Sequence, residues 1–238
     1  MNTLNYLPRV LVIDDMFGRK IEDGPNYERA ALCGKFLLQD ETGGHDEEPV
    51  LEVSAPTANA FFMRGQVPAS ARVGTTVEND VPGTLDAVRR GWTDALARGE
   101  PPWSLVLLDL CFYTGPVTTA SHRRVSGMPE GRPGDDDPRG YFGLRLLDAL
   151  HGQFPELPVM ILSSKPREEV SLEFVRRGAV GFIARDDSRG AEKLAKALWH
   201  HGLMPDPAGE IVGSSLQLLL ALREARRAAG HNENLLIR

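Results

Sequence analysis

The chain is poor in cysteine: Cys33 and Cys111 are the only two in 238 residues. That excludes a disulfide framework, and neither cysteine has metal-ligand spacing. Both read as free buried thiols of a reducing compartment. The chain also has no apolar run of the roughly 18 or more residues that would read as membrane-spanning. The opening MNTLNYLPRV lacks the charged and apolar regions of a signal peptide. Nor is there a basic excess, since 27 Lys and Arg face 33 Asp and Glu for a net charge of −6. That charge leaves no footprint for nucleic acid. Together these absences predict a cytoplasmic chain that touches neither membrane nor nucleic acid directly.

What is present is the composition of a folded domain, 42% apolar and 25% charged. The length allows one enlarged domain. Short apolar runs at 10–13, 105–108 and 159–162, and a fourth at 179–184, have strand length and end in small or charged residues. Continuous apolar runs of this kind suit parallel strands covered on both faces. Between them lie helical patterns at 27–38, at 84–97 behind Pro82, and at 143–151, 168–177 and 191–201. This alternation predicts an α/β fold with a doubly wound parallel sheet.

Two stretches exceed a minimal α/β unit. Residues 39–81 are long, and a second strand belongs there, at 60–63 or at 50–54. Residues 113–140 are rich in Gly, Pro and charge and read as a loop between strand and helix. A linker, GLMPDPAG, covers 202–209, and a further helical pattern at 215–229 precedes the apolar NLLIR.

In an open parallel sheet, ligands collect outside the carboxyl ends of the strands. The first strand delivers Asp14 and Asp15 there, the second apolar run Asp109, the third Ser163 and Ser164, and the last Arg185. Taken singly, Asp14 and Asp15 read as a helix-capping pair, Asp109 equally as a turn residue or a site residue, and Arg185 as a solvated strand end. Their recurrence at successive strand ends is what points to a site. Three close carboxylates repel one another unless a cation sits among them, and a hard, oxygen-preferring ion such as Mg²⁺ meets that need. One carboxylate could then attack a phosphoryl group, with the metal and the nearby cation offsetting charge on the equatorial oxygens.

In these motifs the sequence resembles the receiver (CheY-like) domains of two-component response regulators. RVLVIDD is similar to their first strand with its acidic pair, WSLVLLDL to the third with the phosphoacceptor, and YFGLRLLDAL to the helix that follows. PELPVMILSS is similar to the fourth strand with its switch hydroxyl, and RRGAVGFIAR to the end of the fourth helix and the fifth strand. The resemblance implies a five-stranded sheet of order 2-1-3-4-5 over residues 1–201, with insertions at 39–81 and 113–140. It implies that Asp109 is the phosphoacceptor and that Asp15, Asp109 and the backbone carbonyl of Cys111 bind Mg²⁺ directly, with Asp14 acting through metal-bound water. Ser163 would bond the phosphate and Phe182 would be the switch aromatic. The family's lysine at the end of the last strand is here Arg185, its usual next proline is Asp186, and Lys165 is a further nearby cation.

Residues 210–238 resemble the opening of the AAA+ ATPase module of sigma-54-dependent enhancer-binding activators, although no G-x-x-x-x-G-K-[ST] loop occurs in the chain. An ordinary amphipathic helix packing on the domain or dimerising is the plainer reading of this tail. The resemblance implies a non-enzymatic regulatory part of a longer activator. It would be phosphorylated by a sensor histidine kinase and would switch self-association as a homodimer or higher oligomer, with control of the AAA+ module. A pseudo-receiver that binds a protein or small ligand through the inserted loops is the alternative. A metal-dependent phosphohydrolase is a third reading, weakened by the lack of a D-x-D pattern at Asp14 and Asp109.

Overall fold

The structure, a computed structural model, describes residues 7–14, 27–41, 53–63, 65–68, 76–110, 112, 115–116, 142–163, 174, 176–204 and 215–230. In chain order the elements are β1 (Arg9–Ile13), α1 (Tyr27–Phe36), β2 (Leu38–Asp40), β3 (Ala58–Met63), β4 (Gln66–Pro68), β5 (Thr76–Asn79) and α2 (Val81–Ala97). There follow β6 (Trp103–Leu108), β7 (Gly115–Pro116), α3 (Phe142–Gln153), β8 (Val159–Ser163), β9 (Gly181–Ala184), α4 (Gly190–His201) and α5 (Leu216–Gly230). The main sheet is parallel throughout, in the order β2-β3-β1-β6-β8-β9.

Strand period 2 sorts the apolar side chains onto two faces, which explains why the central strands read as unbroken apolar runs. Leu11, Ile13, Val106, Leu108, Val159 and Ile161 pack on one face with Leu85 and Val88 of α2 and Leu146, Leu147 and Leu150 of α3. Val10, Val12, Leu105, Leu107, Met160 and Leu162 pack on the other with Leu32 and Phe36 of α1 and Leu194 and Leu198 of α4. The sheet is therefore doubly wound. Its five strands β3-β1-β6-β8-β9 carry the expected 2-1-3-4-5 order.

The sheet nevertheless has six strands rather than five. The helical pattern at 27–38 ends earlier than expected, because Leu37 adopts φ 54° and reverses the chain after Phe36. Leu38–Asp40 then lies parallel to β3, and Thr57 N–H donates to the Leu37 carbonyl at 2.7 Å. Leu38 is fully buried, and Asp40 pairs with Arg29 of α1 at 2.6 Å with side-chain exposures of 2% and 9%. An apolar residue that serves a helix face equally serves a strand, so the pattern alone did not separate the two. Of the two places considered for the second strand, Ala58–Met63 contains the first; residues 50–52 lie outside the described residues.

A second, antiparallel sheet has the order β4-β5-β7. Val67 pairs with Glu78 and Val77 with Gly115, so the stretches 39–81 and 113–140, expected to be separate insertions, are joined by strand pairing. Residues 117–140 lie outside the described residues, as does most of the helical pattern at 168–177. Among the described residues, no helix is long and apolar enough to cross a membrane.

The C-terminal helix α5 packs on α4. Arg226 of α5 donates to the carbonyls of Trp199 (3.3 Å) and Met204, and the buried Arg223 pairs with Glu156 ahead of β8. Leu203, in the stretch read as a linker, is fully buried, and its carbonyl accepts from Ser104 Oγ at 2.9 Å. His201 lines a cleft of about 260 Å³ with His151, Glu156, Arg223 and Arg227.

Two predictions follow from these contacts. Arg29→Met leaves the buried Asp40 carboxylate without its cation and destabilises the fold by about 3–5 kcal/mol in chemical denaturation, whereas Arg29→Met with Asp40→Leu regains most of the loss. For His201, burial first, and then the charges of Arg227, His200 and Arg223, hold the imidazole below its ordinary range. The unfolded chain therefore takes up this proton first as pH falls through about 6.5, and stability drops in that window. His201→Gln flattens the pH dependence of the melting temperature between pH 7 and 5.5; an unchanged slope refutes the assignment.

Candidate functional site

The register of the parallel strands decides which side chains meet. Ile13 of β1 is level with Leu108 of β6, so the next residues, Asp14 and Asp109, leave adjacent strands side by side. Their backbones remain tied to the sheet: Asp109 N–H donates to the Ile13 carbonyl and Asp14 N–H to the Met63 carbonyl, each at 3.0 Å. On the other side Leu108 is level with Ile161, and Ser163 is level with Ala184. Arg185 follows at once, its N–H donating to the Ser163 carbonyl at 2.9 Å. Asp14, Asp109, Ser163 and Arg185 thus stand at the carboxyl ends of four neighbouring strands.

All four lie close to or below the protein surface. Asp14 and Ser163 are fully buried, and the side chain of Asp109 is 8% exposed. A buried carboxylate demands a countercharge, and Arg185 supplies it. Its Nη2 donates to Asp14 Oδ2 and lies 3.6 Å from Asp109 Oδ1. The first contact is a charge-assisted hydrogen bond; the second is too long for one and acts through charge. Burial pulls the guanidinium down to about 10, which still leaves it charged at neutral pH. Its side chain stays 26% exposed, so the cation lies between the buried acid and solvent.

Three supports hold this arrangement. Lys35, in the last turn of α1, donates through Nζ to the Arg185 carbonyl and fixes the end of β9 from behind. Gly143 brings the start of α3 against the Asp109 loop, with its N–H donating to the Leu110 carbonyl at 3.1 Å. A Cβ at that position would lie 2.1 Å from the Asp109 carbonyl oxygen and 2.6 Å from Leu110 Cα. Phe112, next to the loop, meets Phe142 edge to face at 4.8 Å between centroids. None of these supports is legible as such in the sequence, although the YFGL motif contains both Phe142 and Gly143.

Phe182 is partly buried on β9 and stacks on Phe174 at 5.6 Å and 14°. Asp15, Cys111, Ser164 and Lys165 lie outside the described residues. Among the described residues, no three His, Cys, Asp or Glu side chains form a metal-ligand cluster. The accessory sheet flanks the same edge: β4 follows β3 after two residues, and β7 begins six residues beyond Asp109. The long insertions therefore converge beside the acidic edge.

No protein-family model matches the sequence, and no curated protein matches it. Among solved structures the chain is similar to NtrX from Brucella abortus in complex with ADP, at 17% identity and a TM-score of 0.40, over 92% of this chain and 33% of that one. It is also similar to the receiver domain of that NtrX, at 19% identity and a TM-score of 0.36, over 79% and 96% of the two chains. A CheY-like response regulator receiver domain protein from Methanospirillum hungatei JF-1 is similar at 14% identity and a TM-score of 0.37, over 81% and 94%. The chain spans a third of the full NtrX chain.

The close approach at Gly143 is testable. Gly143→Ala forces backbone apart under Asp109 and should cost about 1–3 kcal/mol, as overpacking does in a filled core. The measurements are denaturation and the amide shift of Asp109 by NMR; an unmoved Asp109 amide would show that the loop does not rest on this contact.

Proposed function

We propose that the chain is a phosphorylation-controlled receiver domain, not an enzyme, which accepts a phosphoryl group on Asp109. The observation that carries this reading is the placement of Asp109 beside Asp14, with Arg185 Nη2 3.6 Å from its carboxylate and Ser163 at the end of the next strand. In the proposed step an Asp109 oxygen attacks the phosphorus of a phosphohistidine on a sensor kinase. An acyl phosphate bond forms, the P–N bond breaks with its electron pair going to nitrogen, and the imidazole, already protonated at its other ring nitrogen, leaves neutral. Arg185 offsets charge on the transferring oxygens, and Ser163 donates its hydroxyl to the bound group.

The donors at this edge suit Mg²⁺, because Asp14 and Asp109 are hard oxygen ligands standing side by side and Asp15 is next in the chain. In this reading Asp15, Asp109 and the Cys111 carbonyl hold the ion, and Asp14 serves it through water. When bound, the ion would neutralise charge on the phosphoryl oxygens. Phe182 would report the modified state through its rotamer, and the switch would act on self-association. In a longer protein the output would be an AAA+ module of the sigma-54 activator type.

A second reading is favoured by two observations. Arg185 already answers the Asp14 carboxylate, and the joined insertions stand beside the site, which suits a pseudo-receiver that binds a protein or small ligand without phosphorylation. Incubation with Mg²⁺ and acetyl phosphate or beryllofluoride separates the two. A phospho-switch gains one phosphoryl group per chain from acetyl phosphate by intact mass and changes oligomeric state with either reagent, while Asp109→Asn does neither. Wild type indistinguishable from Asp109→Asn would leave the pseudo-receiver.

A further inference from the structure

Two clefts adjoin at the amino ends of β8 and β9, opposite the acidic edge, and both are lined by arginine. One, of about 370 Å³, holds Arg176 and Arg177 with Asp148; the other, of about 260 Å³, holds Arg223 and Arg227 with Glu156. They share His151 and Gly178. We propose that the two clefts form one binding site for a small molecule carrying two phosphate groups, one group seated in each. The proposal is independent of the receiver reading, because none of these residues belongs to the edge around Asp109.

The clefts are built alike. In each, one arginine answers the carboxylate and the other stands nearer solvent. Arg177 pairs with Asp148 of α3, and Arg223, whose side chain is 7% exposed, pairs with Glu156. Arg223 Nη1 also donates to the Glu156 carbonyl at 2.8 Å, which holds α5 against the loop ahead of β8. Arg176 is exposed, and the side chain of Arg227 is 52% exposed with Glu224 at 3.2 Å. Gly178 joins the two clefts. At φ 87° it carries the chain beside the His151 ring, and a Cβ there would lie 3.2 Å from that ring.

The chain as a whole carries −6, yet this lining sets four arginines against two carboxylates, with the imidazoles of His151 and His201 beside them. A concave surface of one sign focuses the field that draws in an anion. Guanidinium forks match phosphate oxygens. A ligand with two phosphate groups gains from seating both at once, and Pro155, Pro158 and Val180 offer its carbon body an apolar rest. Since Arg223 and Arg227 belong to α5 while Arg176 and Arg177 precede β9, the ligand ties the C-terminal helix to the domain.

His201 senses the same field. Arg223 and Arg227 of α5 and His200 of its own helix bear on it, and His151 of α3 and Glu156 of the loop line the same cleft. Phosphate oxygens offset those cations, so occupancy raises its pKa toward the ordinary range.

The test is calorimetric titration of the full chain, at fixed ionic strength and without divalent ions, with pyrophosphate, fructose bisphosphate, fructose monophosphate and inorganic phosphate. At least one doubly phosphorylated probe should bind about tenfold or more tighter than its singly phosphorylated counterpart. Arg176→Gln and Arg227→Gln should each weaken that binding about tenfold, as loss of a hydrogen bond to a charged group does, whereas Arg98→Gln, which removes an exposed arginine elsewhere, leaves it unchanged. Circular dichroism checks that each variant folds. By NMR the bound probe should raise the titration midpoint of His201 and move the Gly178 and Arg227 amides, and hydrogen exchange across α5 should slow. Singly and doubly phosphorylated probes binding alike, or Arg98→Gln weakening binding as much as the cleft variants, would reduce the site to diffuse charge and overturn the proposal. So would shifts gathered at Asp109, an α5 whose exchange ignores the probe, or the absence of saturable binding by any of the four.

Discussion

A carboxylate with no access to water has to be met by a cation, and the carboxyl edge of this sheet is built around that requirement at Asp14. Its side chain is fully buried at the end of β1, and the cation that meets it enters from β9, two strands beyond β6. Removing one partner of such a pair costs about 3–5 kcal/mol, because the other charge remains buried. The site therefore depends on the correct order of four strands, because the Arg185–Asp14 pair forms only with β9 in its place. Fold and chemistry are coupled through one ion pair.

That pair would be worth little without rigid backbone on both sides. Asp14 and Asp109 are each bonded to the neighbouring strand through their own N–H, and Arg185 is held by Ser163 in front and Lys35 behind. Gly143 adds a third constraint by letting α3 start within van der Waals reach of the Asp109 carbonyl. Most of these restraints act on the main chain, and they set where the side chains of the edge begin. A site placed on such rigid elements keeps its groups in a fixed geometry.

The central strands were legible because burial on both faces writes a continuous apolar run, and because acids and a hydroxyl recur where the runs stop. Asp14, Asp109, Ser163 and Arg185 were placed at strand ends by that logic, and they are neighbours. The edge strand β2 was not legible. Leu38 carries the same apolar signal in a helix as in a strand, and the decisive fact is the left-handed backbone of Leu37, which no residue preference announces. The pairing of β5 with β7 was hidden for another reason, since short strands distant in sequence leave no periodicity to read. The Arg185–Asp14 pair shares that difficulty. Composition shows both charges, but the choice between Asp14 and Asp109 is made by side-chain reach.

The position of Arg185 in the chain also bears on how a charge change here could be felt elsewhere. Immediately after it, Asp187 N–H donates to the Ala184 carbonyl and Gly190 N–H to the Asp187 carbonyl, a compact turn that opens directly into α4. The Lys193 ammonium and the Arg189 N–H hold the Asp187 carboxyl below the usual carboxylate range, so the turn is tied to the first part of the helix. A Cβ on Gly190 would lie 2.2 Å from the Phe36 ring, which seats the start of α4 firmly on α1. At its far end α4 meets α5 through Arg226 and the Trp199 carbonyl. One short, well-bonded path therefore runs from the cation of the site to the C-terminal helix. Coupling along it requires an element with two arrangements rather than contiguity alone. Arg185 stands at the head of that path, paired with Asp14 and 3.6 Å from Asp109.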